Sequence, residues 1–152
     1  MSRAFTKEHD DDAVDDLPER PVSTAPNLVT AEGLAAIEAE VAALNQALAK
    51  AGEDRGERVR IGRDLRYWVA RRGSAHVMPA PADADTVHFG STVTLDRDDG
   101  RRQVFRIVGE DEAAPENGTL SHVSPLARAL LGKSEGDSVR VAGHELEIAA
   151  IA

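Results

Sequence analysis

The chain has no cysteine, which excludes a disulfide framework, a thiolate metal site and a cysteine nucleophile. Aromatic residues make up only 3%, so any core must be built mainly from aliphatic side chains. No run of 18 apolar residues occurs, so no segment has the pattern of a membrane-spanning helix. Met1 to Asp12 lacks an apolar signal-peptide core, and a cytoplasmic location is expected. His9, His76, His88, His122 and His144 are scattered, with no pair at a metal-ligand spacing such as i, i+4. Neither a Walker loop nor a Gly-x-Ser-x-Gly elbow is present, so neither phosphoryl transfer nor a hydrolase is signalled, and the chain is expected not to be an enzyme.

Positive charge is also short. Eighteen Lys and Arg face 27 Asp and Glu, a net charge of −9 that argues against the whole chain coating nucleic acid. The exception is Ala51 to Ala75, where seven arginines outnumber four acids. The acids concentrate at the start. Residues 1–29 form an acidic arm in which Asp10, Asp11, Asp12, Asp15 and Asp16 repel one another, and Pro18, Pro21 and Pro26 block a continuous helix. The arm is expected to be disordered; a sharper reading gives it a tethering or autoinhibitory role toward the basic segment.

Residues 30–75 have the pattern of a helical hairpin. Thr30 suits the cap of a first helix, with Glu32 at the positive end of its dipole. Leu34, Ile37, Val41, Leu44 and Leu48 then recur at steps of 3, 4, 3 and 4, a heptad seam. Gly52 suits a helix stop, and Asp54 with Glu57 makes the start signal of a second helix. Ile61, Leu65, Trp68 and Arg72 continue a matching seam. A turn this short forces the two helices antiparallel. The hairpin can satisfy its own seam, so a monomer is expected.

After a linker at 76–86 the period changes. Ser91 to Leu95 alternates as a half-buried strand, Asp98-Asp99-Gly100 is a hairpin turn, and Val104 to Val108 returns. Glu110 to Gly118 reads as an acidic loop and Thr119 to Val123 as a third strand. Ser124-Pro125 opens a short helix, the hydroxyl as cap and the proline at its first position. Val139 to Val141 and Glu145 to Ile151 close the chain. Residues 87–152 are therefore expected to be an antiparallel sheet with one short helix, and the whole chain α+β.

Five landmarks in this region occur in order: Phe89-Gly90, Asp99-Gly100, Phe105-Arg106-Ile107-Val108-Gly109, Ser124-Pro125-Leu126-Ala127-Arg128-Ala129-Leu130-Leu131 and Gly136-Asp137. Together with Arg63 to Trp68 upstream, they resemble the bacterial GreA/GreB transcription elongation factors. The resemblance implies an N-terminal antiparallel coiled coil and an FKBP-like C-terminal domain. It further implies docking of that domain near the mouth of the RNA polymerase secondary channel, which the coiled coil enters. Ser124, Pro125, Leu126, Ala127 and Arg128 are then the docking candidates. In the family, acidic residues at the coiled-coil tip help hold a Mg²⁺ ion at the polymerase active site, so that the polymerase cuts backtracked RNA.

Two departures bear on that activity. The family tip carries an Asp-x-Ser-Glu-Asn-Ala-Glu/Asp-Tyr signature, which this sequence lacks. Here the tip offers Glu53, Asp54 and Glu57, beside Arg55 and Arg58; a helix stop and a helix cap account for them as well as a shared Mg²⁺ contact does. The arm is also short, at roughly 20 residues and about 30 Å per helix. In this it resembles Rnk, a regulator associated with nucleoside diphosphate kinase. Three readings follow: a polymerase-binding factor that modulates transcription, an adaptor regulating an enzyme such as nucleoside diphosphate kinase, and a cleavage stimulator using the tip acids. Arg55, Arg58, Arg63 and Arg66 are candidates for weak contacts to RNA phosphates, read by charge alone, or else a solvated helix face. Tyr67 and Trp68 could stack on bases, though a seam tryptophan belongs more often to a core.

Overall fold

A computed structural model of the chain describes residues 17–152. The five arm aspartates, Asp10 to Asp16, lie outside the described residues. The chain divides into two units. One comprises the residues up to Thr24 with Ile37–Ser74, the other Ala25–Ala36 with Ala75–Ala152.

The helical hairpin consists of α1 (Ala31–Lys50) and α2 (Arg55–Ser74). Ile37 and Val41 are buried, and Leu44, Leu48, Ile61, Leu65 and Trp68 are half-buried, as the seam predicts. The seam ends differently from the expected heptad. Arg71 is buried at 1% exposure, whereas Arg72 is exposed. Residues three and four positions on share one helix face, so Arg71, three after Trp68, takes the place expected for Arg72. Gly52, at φ 60, ends α1 in the left-handed conformation that glycine tolerates.

Residues 17–29, placed in the acidic arm by sequence, make defined contacts. Leu28–Val29 (β1) pairs in parallel with His76–Val77 (β2), in the segment expected to be linker. Two backbone bonds hold this ribbon, from His76 N–H to the Asn27 carbonyl at 2.8 Å and from Met78 N–H to the Val29 carbonyl at 2.9 Å. The pair is too short for a periodicity to reveal it.

The C-terminal sheet runs β5-β4-β3-β7-β6, with β3 Thr92–Arg97, β4 Arg102–Val108, β5 Thr119–Ser121, β6 Ser138–Val141 and β7 His144–Ile151. Three of its four pairings are antiparallel, but β5 runs parallel to β4, so the sheet is mixed rather than wholly antiparallel. The cause is the segment Gly109 to Gly118. It folds into two 3₁₀ turns, Glu110–Glu112 and Pro115–Asn117, and carries the chain back to start β5 beside β4 in the same direction. The inner face is aliphatic: Val93, Leu95, Ile107, Val139, Leu146 and Ile148 pack with Ala127 and Leu130 of α3 (Pro125–Leu130).

One carboxylate joins the loop after β4 to the start of α1. Glu112 Oε2 accepts from the backbone N–H of Thr30 and of Gly109, each at 3.0 Å, and the Thr30 hydroxyl donates to Glu112 Oε1. That hydroxyl also accepts from Gly33 N–H at 3.0 Å, the N-cap bond of α1. Gly33 and Gly109 lie against the carboxylate: a Cβ on Gly33 would overlap it, and one on Gly109 would meet the Leu28 carbonyl oxygen at 2.5 Å.

Glu112→Ala is expected to lower the unfolding free energy by about 2–3 kcal/mol, since charged acceptors contribute more than neutral ones. Gly33→Ala would ordinarily help a helix. Here it is expected to destabilise the native chain, because the tethered carboxylate must move, and to be neutral or stabilising in a Glu112→Ala background. Urea denaturation of the four variants checks the reversal. At the β3–β4 turn, the Arg101 side chain and then its backbone N–H hold the Asp99 carboxyl down to about 2, from an ordinary 3.8. The Asp99 contact is thus complete above the ordinary carboxylate range and lost as pH falls through about 2. An NMR titration should place its midpoint there, and Arg101→Ala should raise it.

Candidate functional site

At the hairpin tip, two side chains, Asp54 and Arg58, serve the helix ends. Asp54 Oδ1 accepts from Glu57 N–H at 3.1 Å, the N-cap bond of α2. Arg58 Nη1 donates to the Gly52 carbonyl at 3.2 Å and to the Leu48 carbonyl at 3.5 Å, at the C-terminal end of α1 where carbonyls lack helical partners. Glu53, Asp54 and Glu57 are exposed. Among the described residues no group of three or more His, Asp or Glu side chains is gathered to hold a metal ion.

Farther along α2, the arginines meet the arm. Glu19 grips Arg66 through both carboxylate oxygens, with Arg66 Nε at 3.1 and 3.0 Å and Nη2 at 2.5 Å. The Arg66 hydrogen bond draws the Glu19 carboxyl below its ordinary range, and Glu19 raises Arg66 in return. Arg20 places its guanidinium 3.9 Å from the Tyr67 ring centroid and 5.7 Å from that of Trp68, and reaches Asp64 at 3.3 Å. The two rings stand edge to face, 5.1 Å apart. Arg63 is half-buried, with Nε 3.9 Å from Asp64. The four candidate phosphate contacts therefore separate: Arg58 serves the tip, Arg66 is held by Glu19, Arg63 lies beside Asp64, and Arg55 is exposed at the start of α2. Sequence reasoning passed over Glu19 and Arg20. The only available signal was opposite charge, and their partners lie 47 and 44 residues away.

The Ser124–Arg128 corner is built as its sequence suggests. Ser124 Oγ accepts from Ala127 N–H at 3.2 Å, and Pro125 occupies the first turn of α3. Ala127 is fully buried and Leu126 packs at the edge of the core, so these two hold the helix to the sheet. Pro125 and Arg128 are exposed, and Ser124 is half-buried. Below the corner, His122 is buried and meets Phe89 edge to face at 5.6 Å. The structure thus leaves Pro125 and Arg128 as the accessible members of the docking set and gives Leu126 and Ala127 to the core.

Comparison with known proteins places these features in a family. Residues 81–152 match the model described as transcription elongation factor, GreA/GreB, C-term. GreA of Nitrobacter winogradskyi is 55% identical over 58 residues, covering 38% of this chain and 37% of that protein. The aligned region therefore spans little more than a third of that relative's length. GreA of Desulfovibrio desulfuricans is 33% identical over 135 residues, covering 80% of this chain and 83% of that protein. The crystal structure of GreA factor homolog 1 (Gfh1) of Thermus thermophilus is 20% identical and covers 84% of this chain and 99% of that one, with a TM-score of 0.42. On the alignment with the Desulfovibrio protein, which runs through both the hairpin and the sheet, this chain belongs to the GreA/GreB family of transcription elongation factors.

Proposed function

We propose that the chain binds bacterial RNA polymerase at its secondary channel and modulates elongation without stimulating transcript cleavage. It has no catalytic residues of its own. The observation that carries the docking half is the corner at α3. Buried Ala127 and Leu130 and the Ser124 cap fix a short helix to the sheet, leaving Pro125 and Arg128 exposed on a rigid support. Rigid elements present a contact at low entropic cost. Against cleavage stands the tip. Asp54 is committed to capping, Arg58 lies beside the acids, and the three carboxylates are not gathered around one point. A Mg²⁺ ion needs several oxygen ligands in close octahedral array. The reading accordingly assigns no step to a shared Mg²⁺ at Glu53, Asp54 or Glu57. Arg55 and Arg63 are assigned a weak, sequence-independent contact to RNA phosphates.

Pro125→Glu with Arg128→Glu should leave the far-ultraviolet circular dichroism unchanged and weaken capture by purified polymerase at least about tenfold, the scale of losing one anchor of an interface. Leu126→Glu should instead lower stability, because that side chain belongs to the core edge. With stalled, backtracked complexes, the protein should associate without shortening the transcript. Rapid shortening that is lost in Glu53→Gln or Asp54→Asn would establish a cleavage factor. Absence of any association would leave the adaptor reading, in which the protein is captured by nucleoside diphosphate kinase.

A further inference from the structure

The arm residues on α2 occupy the groups that a polyanion would use. Glu19 presents a bidentate carboxylate to Arg66, the geometry a guanidinium also offers a phosphate. Arg20 lies over Tyr67, on the ring face that a nucleobase would need for stacking. Asp64 anchors the Arg20 guanidinium from the same helix, at 3.3 Å. One dipeptide therefore mimics two parts of a nucleotide: an anion on the arginine and a planar cation on the aromatic ring. All the contacts involved are half-buried or exposed, the regime in which ion pairs form and break readily and respond to salt.

We propose that Glu19-Arg20 is an intramolecular latch that competes with single-stranded RNA for the Arg63–Arg66–Tyr67 stripe of α2. The arm closes the stripe when no RNA is present, and RNA displaces it by substituting phosphate for the Glu19 carboxylate and a base for the Arg20 guanidinium. The proposal rests on reading the α2 arginines as phosphate contacts and extends that reading to a gate. It also gives the arm a role: holding a sequence-independent binder closed until RNA is delivered at high local concentration.

The test uses the full chain and a fluorescein-labelled oligouridine, with anisotropy recorded over a salt series. Glu19→Gln should bind several-fold more tightly than the native chain. Its plot of log affinity against log salt should steepen by about 0.7, the increment for one more phosphate neutralised on a single strand. Glu19→Gln with Arg66→Ala should lose that gain. Glu40→Gln removes the same charge from α1 without touching Arg66 and should behave as the native chain does. Trp68, the only tryptophan, gives a second readout: oligouridine should shift its emission in the native chain toward that of Arg20→Ala. If Glu19→Gln and Glu40→Gln raise affinity equally, the effect is bulk charge and the latch is overturned. Native and Glu19→Gln chains that bind with one affinity and one slope overturn the latch while leaving the phosphate contacts standing. Absence of binding by every variant at low salt overturns both.

Discussion

Among the described glycines, Gly33 is the most closely approached, and the group that approaches it is the Glu112 carboxylate. A helix start leaves backbone N–H groups without partners, and a buried one must find an acceptor from elsewhere. Thr30 is buried, so water does not serve it. Its N–H and hydroxyl both donate to Glu112, and the hydroxyl in turn caps Gly33. Glu112 also reaches back to Gly109 N–H, in the manner of the acidic residue of a capping box, so one side chain serves a local turn and a distant helix together. The approach is close enough to require that positions 33 and 109 lack a Cβ. The cap sets where α1 begins.

This arrangement also explains which parts of the fold were legible in the sequence. Periodic segments announced themselves: the seam of Leu34 to Leu48, the alternation of β3, and the Ser124-Pro125 start of α3 all depend on neighbours within one turn or one strand. The Asp99-Gly100 turn was legible for the same reason, with Gly100 at φ 84. What escaped depends on residues far apart in the chain. Glu112 lies 82 residues from Thr30 and sat in what read as an acidic loop. The parallel pairing of β5 was hidden because its direction is set by the two turns before it, whose composition signals only a loop. β1 and β2 are two residues each, below the length at which any alternation can be counted.

The candidate site divides along the same line. The corner at Ser124 was visible as a local capping pattern, yet the sequence could not say which of its five residues would face solvent. Burial of Ala127 and packing of Leu126 decide that, and both depend on the sheet beneath. The arginine-rich face of α2 was visible as composition. Its partners were not, because an acidic arm rich in proline carries no periodicity that would mark Glu19 and Arg20 apart from their neighbours. A stripe that composition presents as free cation is in part already matched by anion.

The tip shows why acidity alone is a poor guide to function at a helical hairpin. A four-residue connection must end one helix and start another, and each end leaves polar groups that want a partner. Asp54 answers the start of α2 and Arg58 the end of α1. The Asp54 oxygen that caps α2 is thereby held by the Glu57 N–H. Glu53 and Glu57 remain outside that arrangement and are exposed. This tip carries as many acids as the family signature, three, so count does not distinguish the two; here one acid caps α2, and Arg58 beside it serves the end of α1.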